Sequence, residues 1–268
     1  MLVEKYKRIL SVIAVAGLLH CSLTSAAEVV LPGTQIAQGK GTVVAYYSHG
    51  NQKLNIQVSG RDEIKVPGIS QGYFSNVTND LESTGDNSTA ALKLLINPWS
   101  GFYYWANIGI GLYDLSIPSS SVTNKLSSRD NGIIAGLGIR SVLFPDTIVT
   151  PSVAIEAGLN YSVYNLSEFQ SGVCAEQLID NRLELTEIQA SVIVSKVIDR
   201  IEPYGGLRIF RTITSLTDKQ STGSVSGIKD NAGIFAGIKV KVYPHEAIVL
   251  EGNFIGQSSF VVGWNVDF

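Results

Sequence analysis

The chain carries little cysteine: Cys21 and Cys174 are the only two in 268 residues. Cys21 falls in an N-terminal stretch that reads as an export signal, leaving Cys174 alone in a polar segment. A lone cysteine cannot close an internal disulfide, so covalent staples do not hold this fold. Histidine is equally sparse, with His49 and His245 the only two after residue 27. No metal-ligand spacing, phosphate loop or nucleophile motif occurs, so neither a metal nor another cofactor is expected. No apolar run of spanning-helix length follows residue 19, and any membrane insertion must therefore use strands.

Glu4, Lys5, Lys7 and Arg8 form a short basic head. Residues 9–19 are almost wholly apolar, and Ser25-Ala26-Ala27 supplies the small residues a signal peptidase requires. That layout predicts a secretory signal peptide over 1–27 and a single folded unit over 28–268. A lipoprotein signal at Cys21 is disfavoured by His20, where a small residue is needed. Removing 1–27 leaves 17 basic against 22 acidic residues, a net charge of −5. A nucleic-acid binder needs a basic face, so nucleic acid is excluded as a partner.

From about residue 88 the sequence alternates with period 2, the mark of half-buried strands. Over 148–163, Val149, Val153, Ile155, Ala157, Leu159, Tyr161 and Val163 share an uncharged face. Ser152, Glu156, Gly158 and Asn160 share the other. The same pattern recurs over 102–113, 133–143 and 232–243, and more noisily over 186–197 and 203–213. The echo between Arg129–Gly136 and Lys229–Gly237, each followed by an aromatic-Pro turn, suggests hairpin duplication.

Connections come in two lengths. Short ones lie at Asn97–Ser100, Phe144–Asp146, Ile198–Arg200 and Tyr243–Glu246; long polar ones lie at 49–86, 114–130, 165–181 and 215–230. Short-long alternation is the habit of a transmembrane barrel, with tight periplasmic turns and longer outward loops. The expected strands are about ten, with eight or twelve as the neighbouring counts: 40–48, 88–97, 101–113, 132–144, 147–163, 183–198, 201–214, 231–243, 246–254 and 259–268. An even count returns both termini to the periplasmic side. Within 49–86, Lys53–Val58 and Glu63–Val66 read as a short hairpin above the membrane.

The uncharged face must meet lipid, because a closed barrel satisfies its backbone between neighbouring strands and can stand in hydrocarbon. Phe102, Tyr104, Trp264 and Phe268 fall near the periplasmic boundary, and Tyr161 and Phe260 near the outer one, as aromatic girdles do. Phe260, Val262, Trp264, Val266 and Phe268 alternate to the chain end, and this run resembles the C-terminal assembly signal of bacterial outer-membrane barrels. With the export signal, it makes the chain look like a small barrel of the OmpA-like or opacity-protein type. The resemblance implies an all-β, closed antiparallel up-and-down barrel in the outer membrane of a diderm bacterium. Its implied partners are outer-membrane lipid and the barrel-assembly machinery that reads the last strand. A soluble sandwich or lipocalin-like barrel would instead place charge on the outside.

The inward face is expected to carry Lys93, Arg140, Glu156, Glu187, Arg208, Lys239, Lys241 and Glu251. Charges so confined must pair. The reading favoured is a lumen plugged by ion pairs, with Tyr103, Trp105, Asn107, Tyr204 and Phe210 filling space, because ten strands are far fewer than an aqueous channel needs. The expected role is structural or surface-interacting, through outward loops that meet an extracellular ligand. A narrow porin favouring small anions is the alternative. A rim enzyme, of the omptin protease kind or an acyl-transfer kind, is a third reading; it would rest on His49 beside Ser48 with a loop acid such as Asp80. No catalytic residues are assigned.

Overall fold

Alternation becomes eleven antiparallel strands in the computed structural model, which describes residues 28–33, 36–58, 79–118, 123–171, 177–219 and 224–268. In chain order they are β1 (Gly41–Val58), β2 (Asn79–Trp99), β3 (Phe102–Pro118), β4 (Thr123–Ser128), β5 (Gly132–Phe144) and β6 (Ser152–Ser171). β7 (Gln177–Ser195), β8 (Ile201–Asp218), β9 (Ser224–Tyr243), β10 (Glu246–Phe254) and β11 (Gln257–Asp267) follow. β4 and β5 share one place between β3 and β6, so the wall is a ring of ten. β11 closes it on β1, with Val43 opposite Val266 and Tyr47 opposite Val262. Phe268 completes the seam: its N–H donates to the Gly41 carbonyl at 2.9 Å and its carbonyl accepts from Gly41 at 3.1 Å.

A band of exposed apolar side chains circles this wall. Ile108, Ile110, Ile133, Leu137, Leu207 and Ile209 are each more than half exposed. Water would not support a continuous apolar exterior of this kind, whereas lipid does. Trp99, Phe102 and Tyr104 pack against one another at its lower edge, with ring centroids 5.4–6.1 Å apart.

Above the band the pattern inverts with no bulge between β2 and β3 there. On β3, outward Ile108, Ile110 and Leu112 give way to Asp114 and Ser116, while inward Asn107, Gly109 and Gly111 give way to Tyr113, Leu115 and Ile117. β6 does the same: Leu159, Tyr161 and Val163 face out, then Tyr164 and Leu166 face in. A strand keeps its pleat across this line, so what changed is the solvent outside, from hydrocarbon to water. The β10–β11 hairpin stops at the line, and β9 leans across to β1, pairing Ser226 with Gln57. The upper wall is therefore eight strands: β1, β2, β3, β4, β6, β7, β8 and β9. Inside it Leu54, Ile56, Leu115, Leu126, Leu166, Leu183 and Leu216 are fully buried against one another.

This upper section corrects the expected loops. Lys53–Val58 continues β1 and pairs with β2 over 79–84 instead of forming a separate hairpin; Glu63–Val66 lies outside the described residues. Most of 114–130, 165–181 and 215–230 is strand, because the polar residues there are the water-facing half of an alternation whose other half is the apolar core. The first half of 147–163 is corrected in the opposite sense. β6 begins at Ser152, and 147–151 is a turn tied by Thr150 N–H to Thr147 Oγ1 at 3.0 Å, which leaves Ile148 and Val149 exposed between Pro145 and Pro151. The expected signal 1–27 and Cys174 lie outside the described residues.

Candidate functional site in the barrel lumen

Inside the ten-stranded section runs a segment that strand patterning had no means to find. Residues 28–33 enter the lumen from the periplasmic mouth, extended, with Val29, Val30 and Leu31 buried against Tyr46, Tyr103, Trp105, Ile193 and Phe235. The Ile36 N–H donates to the Tyr103 hydroxyl at 3.1 Å, and the Asn97 amide donates to the Ile36 carbonyl at 2.5 Å, so the wall grips the segment where it enters. An extended chain leaves backbone groups unpaired, and in a dry lumen each must find a side chain. Lys93 Nζ donates to the Val29 carbonyl at 3.0 Å, Arg140 to that of Pro32 at 3.1 Å, and Arg208 to that of Glu28 at 3.2 Å. Glu251 accepts from the Val30 N–H at 2.9 Å and from the Tyr204 hydroxyl at 2.9 Å.

The eight inward charges thus separate by depth. Lys93, Glu156 and Arg140 form one chain: Lys93 lies 3.3 Å from Glu156, which accepts from Arg140 Nε at 2.7 Å and is bridged a second time by Arg140 Nη2. Glu28 joins this group at 2.6 Å from Lys93, whose ammonium also sits 4.3 Å above the Trp105 ring. All four are buried, and such a cluster holds only when every charge has its partner. Arg208 lies over the Phe235 ring at 5.7 Å, and Glu187 accepts from Gln52 at 3.4 Å. Lys239 and Lys241 belong elsewhere, at the periplasmic mouth with Glu202, His245 and Asp267 around a cavity of about 430 Å³. Lys239 stands 3.9 Å from Asp267. With Glu28 and the Lys40, Asp146, Glu202 and Asp267 of that cavity counted, the lining holds six basic and seven acidic residues among the described residues, so it is not net positive.

Tyr103, Trp105, Asn107, Tyr204 and Phe210 are buried in the lumen as space-fillers. Phe260, Val262, Trp264, Val266 and Phe268 all point outward along β11 and its end. His49 faces outward at the top of the band, 2.7 Å from Ser88 of the paired strand. Ser48 points the other way and is fully buried, and Asp80 pairs opposite Gln57, far along the strand from His49. The expected His49–Ser48–Asp80 grouping does not assemble.

The fold and lumen define an up-and-down barrel of the outer-membrane type, small in bore and filled. Among solved structures the chain is similar to the outer membrane protease OmpT from Escherichia coli, at 9% identity with TM-score 0.52, over 85% of this chain and 96% of that one. It is also similar to the translocator domain of the autotransporter NalP from Neisseria meningitidis, at 12% identity with TM-score 0.45, over 99% and 95%. A third is OprG from Pseudomonas aeruginosa, at 9% identity with TM-score 0.41, over 86% and 96%. At these identities the likeness speaks to fold alone. No protein-family model matches the chain, and no curated protein does.

Proposed function

We propose that this protein is a non-conducting outer-membrane barrel that works at the cell surface, raising a rigid stalk whose tips meet an extracellular ligand. The observation that carries this reading is the eight-stranded section above the apolar band, with polar walls and an apolar interior. A barrel built only to sit in lipid has no need of it. Two unlike stoppers support the absence of a pore: the aliphatic core above, and the 28–33 segment with its ion pairs below. The lipid of the outer membrane and, through β11, the barrel-assembly machinery are its other partners, and the chain acts without a cofactor and without catalysis.

Planar-bilayer recording of the purified barrel tests it, with no steady openings expected. Steady anion-selective openings lost on Lys239→Glu would overturn it in favour of the pore. The paired His49 and Ser88 give the enzyme reading its one foothold. Lipid or peptide turnover abolished by His49→Ala would establish that reading instead.

A further inference from the structure

The turn joining β5 to β6 displays the two most exposed large apolar side chains among the described residues, Ile148 at 99% and Val149 at 87%. A turn bathed in water can leave its backbone to the solvent. This one keeps its polar groups to itself. Lys196, one residue past the end of β7, sets its ammonium against the turn and lies 3.0 Å from the Asp146 carboxylate. The same ammonium donates to the carbonyls of Thr147, of Ile148 at 3.3 Å and of Thr150 at 3.4 Å. Asp146 also accepts from the Val197 N–H at 3.4 Å, and the Thr147 N–H donates to the Thr150 carbonyl at 3.0 Å. The two threonine hydroxyls meet at 2.6 Å, and the flanking Pro145 and Pro151 have no N–H to satisfy. One cation thus serves three carbonyls, which is what backbone requires where water is scarce.

The tip also continues the surface that meets lipid. Phe144, Val153 and Val194 stand opposite one another across β5, β6 and β7. Leu143 and Phe144, just before the turn, are at least half exposed, and Ile198 and Ile201 are exposed at the neighbouring β7–β8 connection. Apolar surface in this sector therefore runs past the aromatic edge: Phe102 pairs with Ser141, and β5 carries on through Leu143 and Phe144 into the turn. Arg200, exposed in the β7–β8 connection, adds a cation of the kind that anchors at lipid phosphates. The β9–β10 turn on the same rim is unlike it, with exposed His245 at its tip.

We propose that the 145–151 turn is a membrane foot, which inserts Ile148 and Val149 among the acyl chains of the periplasmic leaflet while Lys196 keeps its backbone satisfied there. Its ligand is phospholipid, with acyl chains around the two aliphatics and phosphate at Arg200. The foot occupies only the β5–β7 sector, so it draws that side of the barrel deeper and biases the tilt of the whole cylinder. None of this depends on what the outer tips bind or on whether the lumen conducts.

The test reads depth directly, on the exported protein with Cys174→Ser, in vesicles of phosphatidylethanolamine and phosphatidylglycerol. A nitroxide attached through Ile148→Cys should be several-fold more accessible to oxygen than to a water-soluble nickel chelate present on both faces, as at the mid-band control Ile108→Cys. A nitroxide through His245→Cys should show the reverse. Val149→Cys repeats the reading should the first variant fail to fold. Lys196→Met should loosen the foot and raise the mobility of the label at 148. With the label moved to Phe144→Cys, the pair Ile148→Asp and Val149→Asp should keep heat-modifiable migration yet open position 144 to the chelate. Labels at 148 and 149 as open to the chelate as that at 245, in vesicles and in isolated outer membranes alike, overturn the inference. Labels open in vesicles but shielded in outer membranes overturn it in favour of a periplasmic protein seated on the turn.

Discussion

Glu156 shows how unforgiving the lumen is to single side chains. It is shared by Lys93 and Arg140, and all three are buried. Glu156→Ala would leave two cations short of a partner and should cost about 3–5 kcal/mol, read as a lower unfolding midpoint in detergent. Glu156→Gln, which keeps the hydrogen-bonding shape, should lose less. A second residue departs from its neighbours for a different reason. Ile255 turns the β10–β11 hairpin with φ of 66°, a left-handed conformation that a β-branched side chain disfavours. Ile255→Asn should therefore stabilise the hairpin by ~1 kcal/mol, raising the same midpoint. Alternation assigns eight charges to the inward face because the pleat fixes parity; Lys93, Arg140, Glu156, Arg208, Lys239 and Glu251 are buried, and Lys241 is exposed at the mouth. The Glu28 contribution was not legible in this way, since an extended segment inside a barrel shows no period of its own and reads as a linker after the signal.

Elements carry the next level of information, and here legibility divided at the water line. β10 was found with its boundaries intact, since all of it lies below that line. β1, β3 and β6 were cut short where their apolar residues changed parity, because a flipped pattern looks like the end of a strand when only one solvent is assumed. The two phases together mark the line: Ile108 with Ile110, then Leu115 with Ile117. Leu166→Ala in the upper core should cost ~2–5 kcal/mol, measured as faster hydrogen exchange in β4, β6 and β7 with β10 and β11 unchanged. Where β9 meets β1, Glu82 lies 3.6 Å from Lys53 and 3.4 Å from Lys229. Lys53 foremost, then Lys229, holds its carboxyl below the ordinary glutamate value. A depressed carboxylate contributes above its unfolded value and loses that contribution as pH falls through the folded one. Exchange at Gly227, which faces Asn55 too closely to admit a Cβ, should accelerate only under acid conditions below the usual glutamate range. Acceleration near neutrality would contradict this account of the seam.

At the scale of the whole molecule, the exterior decides where the protein can live. Ile108 is 63% exposed at mid-band, between Leu92 of β2 and Ala135 of β5. Ile108→Arg should destabilise the inserted barrel by about 2–4 kcal/mol, whereas Ser116→Arg on the same face above the line should be near neutral. Equal effects at both positions would remove the basis for placing the line between them. Heat-modifiable migration on gels and recovery with outer membranes are the expected bulk behaviours. The fold class, the ring of ten and the outward aromatic positions were all readable from sequence, since they depend on periodicity and parity. The filled interior was readable only in part, because it is completed by a segment distant in sequence from every strand that it touches.

The strands that cross the water line do so without interruption, and this has a mechanical consequence. On the surface-interaction reading proposed above, a ligand pulling on a tip would load β1, β2, β3, β6, β7, β8 and β9 along their own axes. β2, β7 and β8 are hydrogen-bonded to a neighbour on either side over most of their length, whereas above the line β1 and β9 meet each other at Gln57 and Ser226. Force applied in that direction shears many bonds at once and does not peel them one by one, and it arrives undivided at the girdle of rings and aliphatics gripping the bilayer. The protein is built as a mast stepped through its own deck.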